Sequence, residues 1–214
     1  MKGTKKKILD AAIFLFNKNG LPNVKLQHIA DYCEISVGNL AYHYRTKDVL
    51  LKSIDQVIQD DINSLLSNTK TFPYLIDFDN QLSNYFHSIN KYAFYFLDVL
   101  ELERCYPELQ EHRVQSISRM IAQIYTWIEL NVKNEIIKPK LSDNQYQITS
   151  RLIWMTISFW MTQQKVLGKK VSDEGLFKEE IWNHLLPILT ENGLLEYEAI
   201  IFPQLSNLKN LLSN

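Results

Sequence analysis

Glycine and proline are scarce, six of each in 214 residues. A β-sandwich or barrel needs many tight turns built largely from these two residues, so their shortage disfavours such folds and favours long helices. Cysteine is nearly absent. Cys33 and Cys105 stand far apart with no CxxC or CxxH spacing, which argues against a disulfide framework and for two small apolar side chains in a reduced compartment. No run reaches the roughly 18 apolar residues of a membrane span; the nearest, Leu152 to Met161, is far too short. The basic start, Met1 to Lys7, leads into an apolar stretch interrupted by Asp10 and Asn17, unlike a signal peptide. A cytoplasmic protein without membrane association is expected.

Catalytic patterns are missing as well. There is no G-x-S-x-G, no H-E-x-x-H and no Gly-rich phosphate loop. The five histidines, at 28, 43, 87, 112 and 184, include no i, i+4 pair that would set two ligands on one helix face. The expectation is a protein that is not an enzyme and carries no cofactor or metal.

What is present is helical patterning and uneven charge. Residues 1–52 hold nine Lys/Arg against four acids, and the remainder fourteen against twenty, so a polyanion would dock at the N-terminal end. Ile8, Ala12, Leu15 and Phe16 share a face of a helix over 5–19 that Gly20 stops. A short helix fits 26–33, with Asn23 as a candidate cap. Ser36 is a good N-cap for a third over 37–44, in which Leu40 and Tyr44 face inward. Thr46 opens a long fourth helix to about Leu66, with Val49, Leu50, Ile54 and Ile58 among its inward residues. After a break at Ser67-Asn68-Thr69-Lys70 and Pro73, helices are expected at 75–89, 91–104, 107–134, 143–168 and 175–192, the last kinked at Pro187, with a ragged one after Leu194. The fold class is all-α: an N-terminal three-helix helix-turn-helix domain over 1–50 and a larger helical bundle over 51–214.

Two short helices joined by a few residues behind a longer one form a helix-turn-helix, whose second helix enters the DNA major groove. Such a helix needs small residues where backbone approaches DNA and polar or aromatic groups that reach phosphates and base edges. Ser36, Val37, Gly38, Asn39, Tyr42 and His43 meet that description. The run Ile8-Leu9-Asp10-Ala11-Ala12, Leu15-Phe16, Gly20, Ile29-Ala30 and then Ile35 through Leu50 closely resembles the DNA-binding domain of TetR-family regulators. The resemblance implies a dimeric regulator whose C-terminal helices sense a ligand. By position it implies that Gly38 and Asn39 approach bases, that Tyr42, His43 and Lys47 meet phosphates, and that Lys25 and Gln27 touch the backbone. Ala41 stands where the family usually has an aromatic residue, Lys25 where Thr is common, and Val37 where a polar residue is frequent. These departures leave open a second reading, a helical ligand-binding or interaction protein with a degenerate DNA-binding face.

Between Asn84 and Trp160 aromatic residues are dense, and effector cavities are mostly apolar with a few placed polar groups. Candidates for ligand contact are Phe86, Tyr95, Tyr125, Trp127 and Trp154, with Gln123, His87 or Arg151 for hydrogen bonds. The implied effector is small and apolar or aromatic. The family's habit of dimerising through its last two long helices points to Ile148, Leu152, Met155, Phe159, Ile181, Leu185 and Ile188 as a homodimer face. The expected activity is repression, relieved when the effector releases the protein from a palindromic operator.

Overall fold

The computed structural model describes residues 2–67 and 74–212. The expected break at Asn68-Thr69-Lys70 and Pro73 lies outside the described residues. Within them the structure is helical without a β-strand, its one isolated bridge pairing Ile137 with Leu189. No described helix is long and apolar enough to cross a membrane. The chain forms two compact units, one of residues 1–64 and 92–115, the other of 65–91 and 116–214. The expected boundary at residue 50 falls inside a continuous helix.

The first unit opens with α1 (Lys2–Asn19). Ile8, Ala11, Ala12, Leu15 and Phe16 form its buried stripe. The helix ends because Gly20 takes φ +80°, where a side chain would be strained, and sends its N–H back to the Phe16 carbonyl at 2.9 Å. α2 (Leu26–Tyr32) follows. Asn23 does not cap it: its amide donates to the Asn19 carbonyl at the end of α1, 2.8 Å away, and the first turn of α2 instead has the Lys25 N–H on His28 Nδ1 at 3.2 Å. A turn through Glu34, at φ 56°, leads to α3 (Val37–His43), and Ser36 Oγ accepts the Asn39 N–H at 3.1 Å as an N-cap should. α4 (Lys47–Ser67) starts with the Val49 N–H on Thr46 Oγ1 at 3.2 Å. Leu50, Leu51, Ile54 and Ile58 are buried, whereas Val49, expected inward, is exposed on the first turn.

The expected helix over 91–104 is instead two short ones, α6 (Ala93–Leu97) and α7 (Val99–Cys105), broken at Tyr92 and Asp98. The break lets Phe94 sit against Phe16, with ring centroids 5.2 Å apart, and frees Asp98 to bond elsewhere in the unit. A 3-10 turn at Pro107–Leu109 precedes α8 (Gln110–Lys133), which runs on into the second unit.

The second unit is built from α5 (Leu75–Lys91), the rest of α8, α9 (Gln145–Val166), α10 (Glu174–Leu185), α11 (Glu191–Glu196) and α12 (Phe202–Leu212). Pro187 ends the tenth helix rather than kinking it. Residues 186–188 tighten into a 3-10 turn, and Leu189 extends to meet Ile137. Rings fill the core: Phe86, Trp160 and Phe177 lie within 6.0 Å of one another by centroid, and Phe78 stacks on Trp127 at 4.3 Å. A buried ion pair crosses it, Lys178 Nζ on Asp79 Oδ2 at 2.7 Å, with Trp182 Nε1 on the other carboxylate oxygen at 3.0 Å. Gly193 has no room for a side chain, since a Cβ there would lie 2.3 Å from the Ile136 carbonyl oxygen. Gly193→Ala is therefore expected to cost about 1–3 kcal/mol, the usual penalty of overpacking against backbone, measured by urea denaturation.

Candidate nucleic-acid interface

The candidate contacts gather on one short helix and the elements that hold it. Leu40 and Tyr44 turn into the core and anchor α3, and this leaves Gly38, Asn39 and Tyr42 facing out. Tyr42 is 75% exposed, unusual for a large aromatic side chain, and His43 lies half-buried with its ring edge-on to Tyr42 at 5.2 Å. Ser36 is exposed and Val37 half-exposed. A Cβ on Gly38 would meet only Ser36 Oγ, at 3.9 Å, so the fold itself does not demand glycine there.

On α2, Lys25 and Gln27 are both exposed. Gln27 Nε2 donates to Asp31 Oδ1 one turn on, at 2.6 Å. Lys47 is different. Its ammonium donates to the Leu21 carbonyl at 2.5 Å and lies 5.5 Å from the centre of the Phe16 ring, and burial pushes its pKa down. Of the N-terminal lysines, Lys6 pairs with Asp10 and Lys7 donates to the Cys33 carbonyl at 2.9 Å.

The residues that hold this surface in place include two, Asp98 and Asn17, that no local pattern reveals. Asp98 Oδ2 accepts the Leu21 N–H at 2.8 Å, so the Leu21 peptide is held by Asp98 on one side and Lys47 on the other. Asn17 Oδ1 accepts the Phe94 N–H at 2.9 Å. Both bonds join segments 77 residues apart, a pairing without a signature in a single sequence. Asp98→Ala is expected to remove about 1–2 kcal/mol from the first unit, given the worth of a part-exposed charged hydrogen bond. Its thermal midpoint should fall while that of Asp98→Asn falls less.

The candidate effector residues do not form one set. Tyr95 belongs to the first unit, where its hydroxyl donates to the buried Asp55 at 2.9 Å under the Arg113 guanidinium. Burial, then Asp55, raises its pKa. His112 Nδ1 holds the other Asp55 oxygen at 2.8 Å, and Arg113 Nε donates to Glu103 at 2.6 Å. Arg151 is exposed on α9, and the Tyr125 hydroxyl donates to Glu129 of its own helix at 2.6 Å. Phe86 is part of the ring cluster described above, and His87 is exposed. Gln123 and Trp154 do meet, around Tyr85: the Tyr85 hydroxyl donates to Gln123 Oε1 at 2.9 Å, and its ring meets Trp154 edge-on at 6.0 Å, whereas Trp127 stacks on Phe78. Burial pushes the Tyr85 phenol up to about 12.

The expected dimer face divides between surface and core. Ile148, Leu152, Met155 and Phe159 are exposed along α9, while Ile181 and Leu185 are fully buried within the unit and Ile188 half-buried. Leu152, Met155 and Phe159, but not Ile148, line a cleft of about 640 Å³ with Thr156, Val166 and His184.

A helix-turn-helix carrying an outward aromatic-polar helix, joined to a helical bundle, defines a one-component DNA-binding regulator. The family model for bacterial regulatory proteins of the tetR family matches residues 8–54, and the TetR model, described as a bacterial transcriptional repressor, matches 58–197. The chain belongs to the TetR family of transcriptional regulators. No curated protein matches the sequence. Among solved structures it is similar to a TetR-family transcriptional regulator from Marinobacter aquaeolei VT8, 25% identical, with a TM-score of 0.81 over 95% of this chain and 98% of that one. It has the fold of CprB from S. coelicolor A3(2), at 14% identity and a TM-score of 0.72 over 98% of both chains. It also has the fold of a TetR regulator from Haloarcula marismortui ATCC 43049, at 16% identity and a TM-score of 0.68 over 89% of this chain and 100% of the other.

Proposed function

We propose that this regulator is a cytoplasmic homodimer without enzymatic activity that binds a palindromic operator through α3 and leaves it when a small apolar or aromatic effector enters the second unit. The single observation that carries the DNA reading is the exposed Tyr42 beside Asn39 and Gly38 on the positively charged end of the chain. Exposing a tyrosine ring to water gains nothing in folding, and a glycine that the fold does not require leaves room for an approaching duplex. Asn39 and Gly38 read bases, with Val37 at the groove wall, and Ser36, Tyr42, His43, Lys25 and Gln27 meet phosphates. Lys47 serves the same surface from behind by fixing the Leu21 turn.

The exposed apolar face of α9 supports a second copy of this chain as partner. Two recognition helices one DNA turn apart, about 34–36 Å, would then match a two-fold operator. An effector shifts operator binding only through its differential affinity for the two conformers.

Electrophoretic mobility shift on the DNA upstream of the protein's own gene tests the reading, with salt-dependent binding expected. Lys25→Ala should lower the slope of log affinity against log salt by about one, as loss of one phosphate contact does. Lys47→Ala should lower the thermal midpoint and leave the slope of the protein that remains folded unchanged. A Lys25 variant with the parental slope would take α2 out of the interface.

A further inference from the structure

Glu180 is a carboxyl group poorly served by its surroundings. It lies half-buried on α10, in the wall of the cleft whose other side is formed by Leu152, Met155 and Phe159 of α9. His184, one turn further along α10, lines the same cleft, its Nε2 2.8 Å from Thr156 Oγ1. Every α9 residue that lines the cleft is uncharged. On the other side of α10, α5 directs Asp79 to Lys178 and Trp182 and not to the cleft. Burial is the main influence on the Glu180 carboxyl and pushes its pKa up, helped by the like charge of Glu179. Lys169, the Trp160 indole N–H and His184 oppose the rise without cancelling it. Neither Lys169 nor His184 forms an ion pair with it among the described residues.

The α9 side of the cleft is a face left to be covered. Ile148, Leu152, Met155, Phe159 and Val166 follow one another at intervals of four, three, four and seven residues, the stripe of a single helix face, and all are exposed. At 1.5 Å per residue the stripe is about 27 Å long, and with α10 packed beside it the face is about 20 Å wide. That is the scale of the roughly 800 Å² per partner that a stable dimer buries. A stripe of one helix is its own complement across a two-fold axis, so a second copy is the occupant the geometry favours. Covering the cleft with apolar side chains takes more water from Glu180, and the two-fold brings two such carboxyls into one interface. A carboxylate that loses water without gaining a cation is disfavoured, so protonation of Glu180 and pairing of the copies favour each other.

We propose that Glu180 makes dimerisation of this regulator pH-sensitive, the two copies joining most tightly when both Glu180 carboxyls are protonated and more weakly as the carboxylates form. This rests on the reading of the α9 face as the contact between two copies and adds its regulation. The sign follows from the burial: a carboxyl raised by desolvation holds a proton that the open form gives up, so assembly takes up protons and weakens as the pH rises. Occupancy of a two-fold operator, which needs both copies, inherits the same dependence.

The test uses the full chain in two preparations, carrying donor and acceptor dyes on the exposed Cys105. Energy transfer after mixing gives the rate at which dimers exchange subunits, and its loss on dilution gives their dissociation constant. The dimer should be about tenfold or more tighter at about pH 5.5 than at about pH 7.5, tenfold being the effect of a shift of one unit in one carboxyl. Glu180→Gln keeps the shape without the titrating proton, and it should dimerise at both pH values about as tightly as the parent does at the lower one. His184→Gln should keep the parental dependence. Equal constants at the two pH values, or a dimer that tightens with rising pH as it would if a partner cation met each Glu180, would overturn the proposal. So would a dependence that survives Glu180→Gln or one that His184→Gln abolishes. Absence of energy transfer at every concentration and pH removes the second-copy reading itself, whereas a dimer indifferent to pH removes the regulation alone.

Discussion

Asp79→Ala should destabilise the protein by about 3–5 kcal/mol, the cost of stripping one partner from a buried ion pair. The Asp79 carboxylate is fully buried and accepts both the Lys178 ammonium and the Trp182 indole N–H. Without it the ammonium stays buried with Glu174, at 3.6 Å, its remaining ion-pair partner among the described residues, and the indole loses its acceptor. Against a typical total stability of about 5–15 kcal/mol, this loss is large. Replacing both charged partners with apolar residues of similar size, Asp79→Leu with Lys178→Met, should recover much of it, because the pair's attraction is largely offset by its desolvation. Guanidinium denaturation of the single and double variants measures both. A single variant within about 1 kcal/mol of the parent would mean that water reaches the ammonium and that the pair is not a core element.

The second large effect concerns DNA and should leave stability untouched. Asn39→Ala removes a side chain that is exposed on α3, while the N-cap bond uses only its backbone N–H. The fold should be as stable as the parent or slightly more so, since alanine is the better helix former. Operator affinity should fall by about tenfold to a hundredfold, the range for losing one good base contact, with the discrimination between operator and random DNA falling in parallel. Fluorescence anisotropy with both duplexes at one salt concentration separates the two terms. An unchanged ratio would move base reading elsewhere on the helix and leave Asn39 as a solvated surface residue.

The helix-turn-helix was legible because its determinants are local. Gly20 stops α1, Ser36 caps α3, and Leu40 and Tyr44 lie four residues apart, each a matter of the chain's nearest turns. Where two local signals compete, sequence reasoning chose wrongly: Asn23 sits at the right distance to start α2, yet its amide closes α1. Helix 91–104 reads as continuous because its apolar pattern is continuous, and it breaks at Asp98 because that carboxylate is drawn to Leu21.

The ring-filled interior of the second unit was legible only as a composition. Aromatic density identifies a ring-filled interior but not which rings share it. Tyr95 is drawn to Asp55 in the first unit, whereas Trp127 and Trp154 stay in the second. The α9 and α10 faces look equally apolar in sequence, yet Ile181 and Leu185 are consumed by the unit's own core and Phe159 is left outside.

Periodicity and caps thus determine by themselves that this chain is helical and that it carries a helix-turn-helix near its N-terminal end, since each depends on interactions within a few residues. The tertiary structure alone decides which polar groups find partners across long stretches of chain, as Asp79 does with Lys178 and Asp98 with Leu21, and which are left waiting, as Trp127 is. The physical reason is that hydrogen-bond satisfaction is a property of surroundings brought together by folding, and no spacing along the chain encodes it.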